Sequence, residues 1–173
     1  MQTNALPTYD ASDNPTGCCP RFNPEGWDDR KLHFDGKLFV RAKTRSVDHV
    51  PTDMGPVFER TFAEIEKAGA YDPSNVIVLS RDVSASEGEL FFAVSKPVPG
   101  LDVVRWSGDY VTKLFEGPYE KAPSWAQRFT ADLEEHGHEV GKMYFFYTTC
   151  PKCAEVYGKN YIVAVAELTS TSG

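Results

Sequence analysis

The sequence predicts an α+β fold in which two βαββ units share one mainly antiparallel sheet. The first observation is an internal repeat: residues 54–69 (MGPVFERTFAEIEKAG) and residues 121–137 (KAPSWAQRFTADLEEHG) have the same helical pattern, and Phe62 matches Phe129 at an offset of 67 positions. The second is that strand-forming runs surround both helices in the same order. Because a single βαββ unit cannot bury its sheet face alone, we expect a pseudo-twofold sheet with both helices on one face and a cleft at the junction.

Short runs rich in β-branched and aromatic residues support this order of elements. One run precedes each helix and two follow it, so each half has the order β-α-β-β. The runs are residues 37–42, 76–79 and 90–96 in the first half, and residues 109–115, 143–147 and 161–167 in the second.

Each predicted helix carries one apolar stripe at helical spacing and stops at a glycine, Gly69 in the first and Gly137 in the second. A glycine just after the last periodic residue is typical of a helix C-terminus. The stripes consist of Phe58, Phe62 and Ile65 in the first helix, and of Trp125, Phe129 and Leu133 in the second.

The domain boundaries follow from the repeat. We expect an N-terminal arm with a cysteine-bearing irregular segment at 1–30, a single domain at 31–168, and a short polar tail at 169–173. The first half of the domain covers 31–98 and the second covers 101–168, with the Pro/Gly-rich join KPVPG between them.

Composition excludes several classes of function. The chain has 173 residues and a net charge of −7, and no cluster of Lys and Arg could form a phosphate-binding stripe, so nucleic acid is not an expected partner. No apolar run approaches the roughly 20 residues of a membrane helix. The N-terminus lacks the basic start and apolar stretch of a signal peptide, so a cytoplasmic protein is expected.

Four cysteines are confined to the two segments that the repeat does not explain: Cys18 and Cys19 are adjacent, and Cys150 and Cys153 form a C-P-K-C on a predicted loop. In a chain without an export signal, thiols or metal ligands are favoured over disulfides. Together the four residues could supply a tetrahedral zinc site. A redox-active pair and inert buried thiols are the alternatives.

Glu116 is the candidate acidic group, because it ends a strand just before the Gly117-Pro118 turn that leads into the second helix. A carboxylate at the predicted cleft could bind a cation, or act as a general base if aromatic neighbours raise its pKa. A solvated turn residue is the alternative. His49 precedes the first helix at a comparable place and is a second, weaker candidate.

The duplicated βαββ plan, together with FEGPYEKAPSWAQRFTADLEEHG and the aromatic strand after it, resembles the gyrase-inhibitor-like (GyrI-like) effector-binding domain. The resemblance covers about residues 30–168. It departs from the family at Phe145, where a glutamate often stands two residues before the tyrosine, and in the two cysteine-bearing segments. The positions that match the family pattern are Gly117, Pro118, Tyr119 and Tyr147.

The resemblance implies a stand-alone domain that binds an aromatic or lipophilic small molecule, cationic ones included, in the cleft between its halves. No helix-turn-helix segment accompanies it. An alternative is a hydrolase of reactive small molecules, with Glu116 directing a water and Tyr147 donating a proton. A cysteine-based metal or redox protein is a second alternative. The residues expected to contact the ligand are His49, Trp106, Tyr119, Trp125 and Tyr144.

Overall fold

The computed structural model describes residues 3–7, 13–17, 21–72, 77–149 and 151–169. A short 3-10 turn, Tyr119–Lys121, leads into the second helix. The strands are β1 (Lys31–Val47), β2 (Val50–Pro51), β3 (Val78–Ser84), β4 (Glu87–Ala93), β5 (Asp102–Glu116), β6 (Val140–Tyr147) and β7 (Tyr161–Leu168), and the helices are α1 (Met54–Lys67), α2 (Ala122–Glu135) and α3 (Pro151–Tyr157).

Six strands form one closed antiparallel barrel. Their order is β1-β4-β3-β6-β7-β5, and β5 pairs back with β1. The α+β class and the antiparallel sheet are therefore confirmed. The shared sheet differs from the expectation in being closed, because the long first strands of the two halves pair with each other and bring the sheet edges together. Each half contains the predicted order strand, helix, strand, strand, whereas β2 and α3 are additional elements.

The two halves meet along two unequal seams. The β1–β5 seam is long: residues 31–34 pair with 108–111 and residues 37–41 pair with 102–106, with a β-bulge between them. On the opposite side of the barrel, β3 and β6 share a single register pair, Ser80 with Phe145. The two halves are thus joined by many backbone pairs on one side of the barrel and by a single register pair on the other.

Aromatic side chains fill the barrel around Trp106. Its ring centroid lies 4.4 Å from that of Phe39, 4.6 Å from that of Tyr144 and 5.4 Å from that of Tyr110. These residues stand on alternate positions of their strands, so their side chains share the inner face. Buried aromatic pairs contribute stability beyond the area that they bury, so this cluster forms the main core of the barrel.

Both long helices pack outside the barrel. On α1 the buried residues are Val57, Thr61 and Ile65. Phe58 is 38% exposed and rests at the edge of the interface over Phe92. Ile65 is therefore buried as predicted, whereas the first two positions of the predicted stripe are displaced by one residue, because the two phenylalanines lie at the side of the helix rather than facing the sheet.

The predicted stripe of α2 is better placed. Trp125 and Phe129 are buried, and Phe129 packs against Val111 and Ala164 on the outer face of the sheet. Leu133 contacts the same cluster from a partly buried position.

The irregular segment before β1 seals one end of the barrel. Trp27 is fully buried, its ring 5.3 Å from that of Phe146, and its carbonyl accepts a hydrogen bond of 2.6 Å from the Thr112 hydroxyl. Phe22 packs beside it. Further towards the N-terminus, the Asn4 amide donates to the carbonyl of His33 on β1. These parts of the N-terminal region are structural components of the barrel.

We expect Trp27→Ala to lower the free energy of unfolding by about 3–5 kcal/mol, because it removes a large buried ring and leaves a cavity. Denaturant titration measures this. Val156→Ala is the control, since that side chain is 69% exposed and its loss should cost less than about 0.5 kcal/mol. Equal effects of the two substitutions would show that the segment does not belong to the core.

Candidate functional site

A pocket of about 450 Å³ opens at the end of the barrel opposite Trp27. It lies beside the narrow seam, between the parts of β3 and β6 that extend beyond the Ser80–Phe145 pair. Volumes of roughly 300–1,000 Å³ are typical of small-molecule sites. We refer to this feature as the barrel-mouth pocket.

Three aromatic side chains form the floor of the barrel-mouth pocket. Phe91, Trp106 and Tyr144 are 6%, 8% and 4% exposed, respectively. The ring of Phe91 meets those of Trp106 and Tyr144 edge-on, with centroids 5.1 Å and 5.6 Å apart. Because each ring stands on a different strand, the floor exists only when the barrel is closed.

The Tyr144 hydroxyl is the polar group of this floor. Burial, followed by the charge of the nearby Glu167 carboxylate, raises its pKa to about 12, while Arg81 opposes the shift. The phenol is therefore protonated at neutral pH and can donate a hydrogen bond. Among the described residues the hydroxyl has no hydrogen-bond partner. Every fully buried side-chain nitrogen or oxygen in those residues does have a partner, so the Tyr144 hydroxyl is not fully buried and is accessible from the pocket.

Ion pairs between neighbouring strands line the rim. Glu89 is central: its two carboxylate oxygens lie 2.9 Å from Arg81 and 3.8 Å from Arg41, and its side chain is only 12% exposed. Arg41 also contacts Asp102 at 2.7 Å. The strand register accounts for two of these contacts. Arg41 is paired with Asp102 across β1 and β5, and Arg81 is paired with Glu89 across β3 and β4.

The structure divides the sequence-predicted aromatic residues between two places. Trp106 and Tyr144 are in the barrel-mouth pocket. Tyr119, Trp125 and Tyr147 lie on the outer face of the sheet, in a cluster beneath the start of α2. There Trp125 stacks on Phe115 with centroids 5.0 Å apart, and the Tyr119 hydroxyl donates to the carbonyl of Thr149.

The structure does not bring Glu116 and Tyr147 together as an acid–base pair. Glu116 is exposed at the end of β5 and pairs with Tyr161, whereas Tyr147 pairs with Ile162. Since successive residues of a strand point to opposite faces, the two side chains lie on opposite sides of the sheet. Burial, followed by the charge of Asp82, raises the pKa of Tyr147 to about 12.

His49 lies in the turn between β1 and β2, away from Glu116. Its backbone is left-handed, with φ of 69°, and its side chain is exposed. The Nδ1 atom lies 2.8 Å from an oxygen of Asp82, and the backbone amide donates to the carbonyl of Ala85. This residue positions a surface turn and is not part of the barrel-mouth pocket.

Of the four cysteines, Cys18, Cys19 and Cys150 lie outside the described residues. Cys153 is 2% exposed on α3, a helix where a loop was expected, and its sulfur is 3.2 Å from the Thr16 hydroxyl. The N-terminal segment therefore reaches α3 two residues before Cys18. The described residues contain no group of three or more metal-ligating side chains, and the zinc interpretation stays a prediction.

Sequence reasoning did not single out Phe91 or the rim residues Arg41, Arg81 and Glu89. The available signal was charge at alternate strand positions, as in Arg41 and Lys43 or in Glu87 and Glu89. That alternation is also typical of an ordinary solvated strand face. Only the closed barrel shows that these positions converge on one mouth.

Comparison with known proteins assigns the chain to a family. The family described as "Bacterial hydrolase" matches residues 9–168, almost the whole length. The chain belongs to this bacterial hydrolase family. A search of curated proteins found no significant match.

Solved structures of similar fold include members from Listeria innocua. One is described as a hydrolase (13% identity, TM-score 0.56) and another as an uncharacterized conserved protein (12% identity, TM-score 0.59); each covers 83% of this chain, and the alignments span 92% and 93% of those chains. A third, SAV2435, was solved bound to tetraphenylphosphonium; it is 10% identical with a TM-score of 0.53, and 83% of this chain aligns with 94% of it. At these identities the likeness shows the fold.

Among the described residues, no helix has the length and apolar character that crossing a membrane requires.

We expect the barrel to unfold in alkali as its buried tyrosines ionise. The pKa values of Tyr144 and Tyr147 are each raised to about 12 in the folded state, against about 10 in an unfolded chain. Their contribution to stability is thus complete below about pH 10 and is lost as the pH rises towards 12. Circular dichroism and phenolate absorbance, followed together, should show late tyrosine ionisation coinciding with unfolding. Ionisation of every tyrosine near pH 10 with the fold intact would contradict this.

Proposed function

We propose that the protein binds an aromatic or lipophilic small molecule in the barrel-mouth pocket. The observation that carries the proposal is the floor formed by Phe91, Trp106 and Tyr144 beneath a cavity of about 450 Å³. Small-molecule sites usually join an apolar surface to polar groups that orient the ligand. Here the aromatic floor is the apolar surface, and charged side chains make up most of the remaining lining. Flat rings would stack on Trp106, and the Tyr144 hydroxyl would orient a polar substituent by donating a hydrogen bond.

Two other observations support binding of this kind. The bacterial hydrolase family assignment is compatible with a small-molecule ligand, and SAV2435, which shares the fold, was solved with tetraphenylphosphonium bound. The sequence resemblance to the GyrI-like effector-binding domain points to the same class.

Tyr144→Phe tests the site. Loss of the hydrogen bond that orients the ligand should weaken binding of a phenol- or amide-bearing aromatic ligand by roughly 5- to 10-fold, corresponding to about 1–1.5 kcal/mol. Quenching of tryptophan fluorescence or calorimetry measures it, with ligands taken from a thermal-shift screen. Tyr110→Phe is a matched control, because Tyr110 is a buried barrel tyrosine that does not line the pocket. Equal affinity in wild type and both variants would place the site elsewhere.

Hydrolysis of a small molecule is the second candidate function, favoured by the family to which the chain belongs. In the barrel-mouth pocket, the protonated Tyr144 hydroxyl would donate a proton to the leaving group, as a general acid does. A rim carboxylate would accept a proton from the water that attacks the substrate. Glu87 is more exposed than Glu89 and is the better placed of the two for this role. The earlier assignment of Glu116 and Tyr147 is a competing placement of the same chemistry.

Turnover of an aromatic ester such as 2-naphthyl acetate separates the placements. If hydrolysis takes place in the pocket, Tyr144→Phe should lower kcat/KM by about 10²-fold, since general acid catalysis contributes on that scale. Glu116→Gln should leave the rate unchanged, because Glu116 is exposed at the far end of β5. The reverse result, with Glu116→Gln inactive and Tyr144→Phe normal, would move the chemistry out of the pocket.

A further inference from the structure

The least exposed carboxylate of the barrel-mouth pocket, that of Glu89, already forms ion pairs with two arginines of the same chain. Glu89 is 12% exposed, and each of its oxygens faces a different guanidinium group, that of Arg81 at 2.9 Å and that of Arg41 at 3.8 Å. The second rim carboxylate, Glu87, lies 3.8 Å from Lys43. Neither acid that lines the pocket is therefore free to neutralise a positively charged ligand.

We propose that this network makes the pocket selective for uncharged aromatic molecules over lipophilic cations, with Arg81 as the specificity-determining residue. The inference rests on the proposed binding function and narrows its ligand class. A cation seated on the aromatic floor would lie close to both arginines, and their like charges would repel it. Specificity of this kind is achieved by a repulsive element placed against the wrong ligand.

Arg81, rather than Arg41, controls the charge of the network. Arg41 is held by Asp102 at 2.7 Å through both its Nε and Nη2 atoms, so its charge is largely balanced outside the Glu89 contact. Within the described ranges, the ion-pair contact of Arg81 is with Glu89 alone. Removal of the Arg81 guanidinium would deprive Glu89, the least exposed charge of the rim, of its short ion pair. The other cations that line the pocket, Lys43, Arg105 and Lys142, are exposed and solvated, so a local negative charge would stand at the edge of the aromatic floor. That arrangement attracts organic cations, which also stack favourably on tryptophan and tyrosine faces.

Three ligands with one aromatic body test the proposal: 2-naphthylmethanol, 2-naphthoate and the (2-naphthylmethyl)trimethylammonium cation. In wild type we expect the cation to bind at least about tenfold more weakly than the alcohol, because the alcohol carries no charge for the arginines to repel. In Arg81→Met the affinity for the cation should rise by about tenfold or more, while that for the alcohol changes by less than about threefold. Calorimetry with purified full-length protein gives all the constants.

Matched variants identify the cause. Arg60→Met removes one positive charge from an exposed position of α1 and should leave cation affinity unchanged. Arg81→Lys keeps the charge and should keep the exclusion. The double variant Arg81→Met with Glu89→Met should lose the gain, since no unbalanced carboxylate is left on the rim; exchange of such a pair for apolar side chains is commonly tolerated by the fold.

Each outcome has one meaning. Wild-type binding of the cation as tightly as the alcohol overturns the selectivity, whatever the variants do. A folded Arg81→Met variant with no gain, or a gain equally present in Arg60→Met, overturns the assignment of Arg81. If none of the three ligands binds wild-type protein, the proposed binding function fails instead, which is a distinguishable result. Should Arg81→Met not fold, Arg81→Gln, which removes the charge but keeps a polar side chain, replaces it under the same criteria.

Discussion

The pairing of β1 with β5 is the constraint on which the rest of the molecule depends. β1 is 17 residues long, enough to pair with β4 along one edge and with β5 along the other. The β-bulge between Phe34 and Lys37 lets the strand bend and twist more strongly, as closure of a small barrel demands. Once the sheet is closed, its inner face must be filled, and large aromatic rings fill it.

The second seam explains the position of the pocket. If β3 and β6 were paired along their whole length, the wall of the barrel would be continuous on this side. Their single register pair leaves the ends of the strands apart, and there the aromatic core is accessible. The rim of the opening then carries charges in cross-strand pairs. In one small region the fold thus combines an aromatic floor with a hydrogen-bond donor and a charged rim on which basic side chains outnumber acidic ones.

The aromatic richness of the second half has two different structural roles. Trp106 and Tyr144 face the interior and line the pocket, whereas Trp125 and Tyr147 pack beneath α2 on the outside. In the sequence these residues are indistinguishable members of one aromatic-rich region. Counting aromatic residues cannot separate the faces, because both sides of each strand are covered: the inner by the barrel core and the outer by helices.

Local pattern determined the existence of the six barrel strands, the two long helices, the order of elements in each half and the α+β class, because periodicity and turn residues act within a few positions of one another. It did not determine the full length of β1 and β5. Tertiary structure decided the rest. Barrel closure, the seam with one register pair and the meeting of Arg41, Arg81 and Glu89 depend on the alignment of strands far apart in the chain. A shift of one residue in that alignment would turn every inner side chain outward, and no local pattern carries that information.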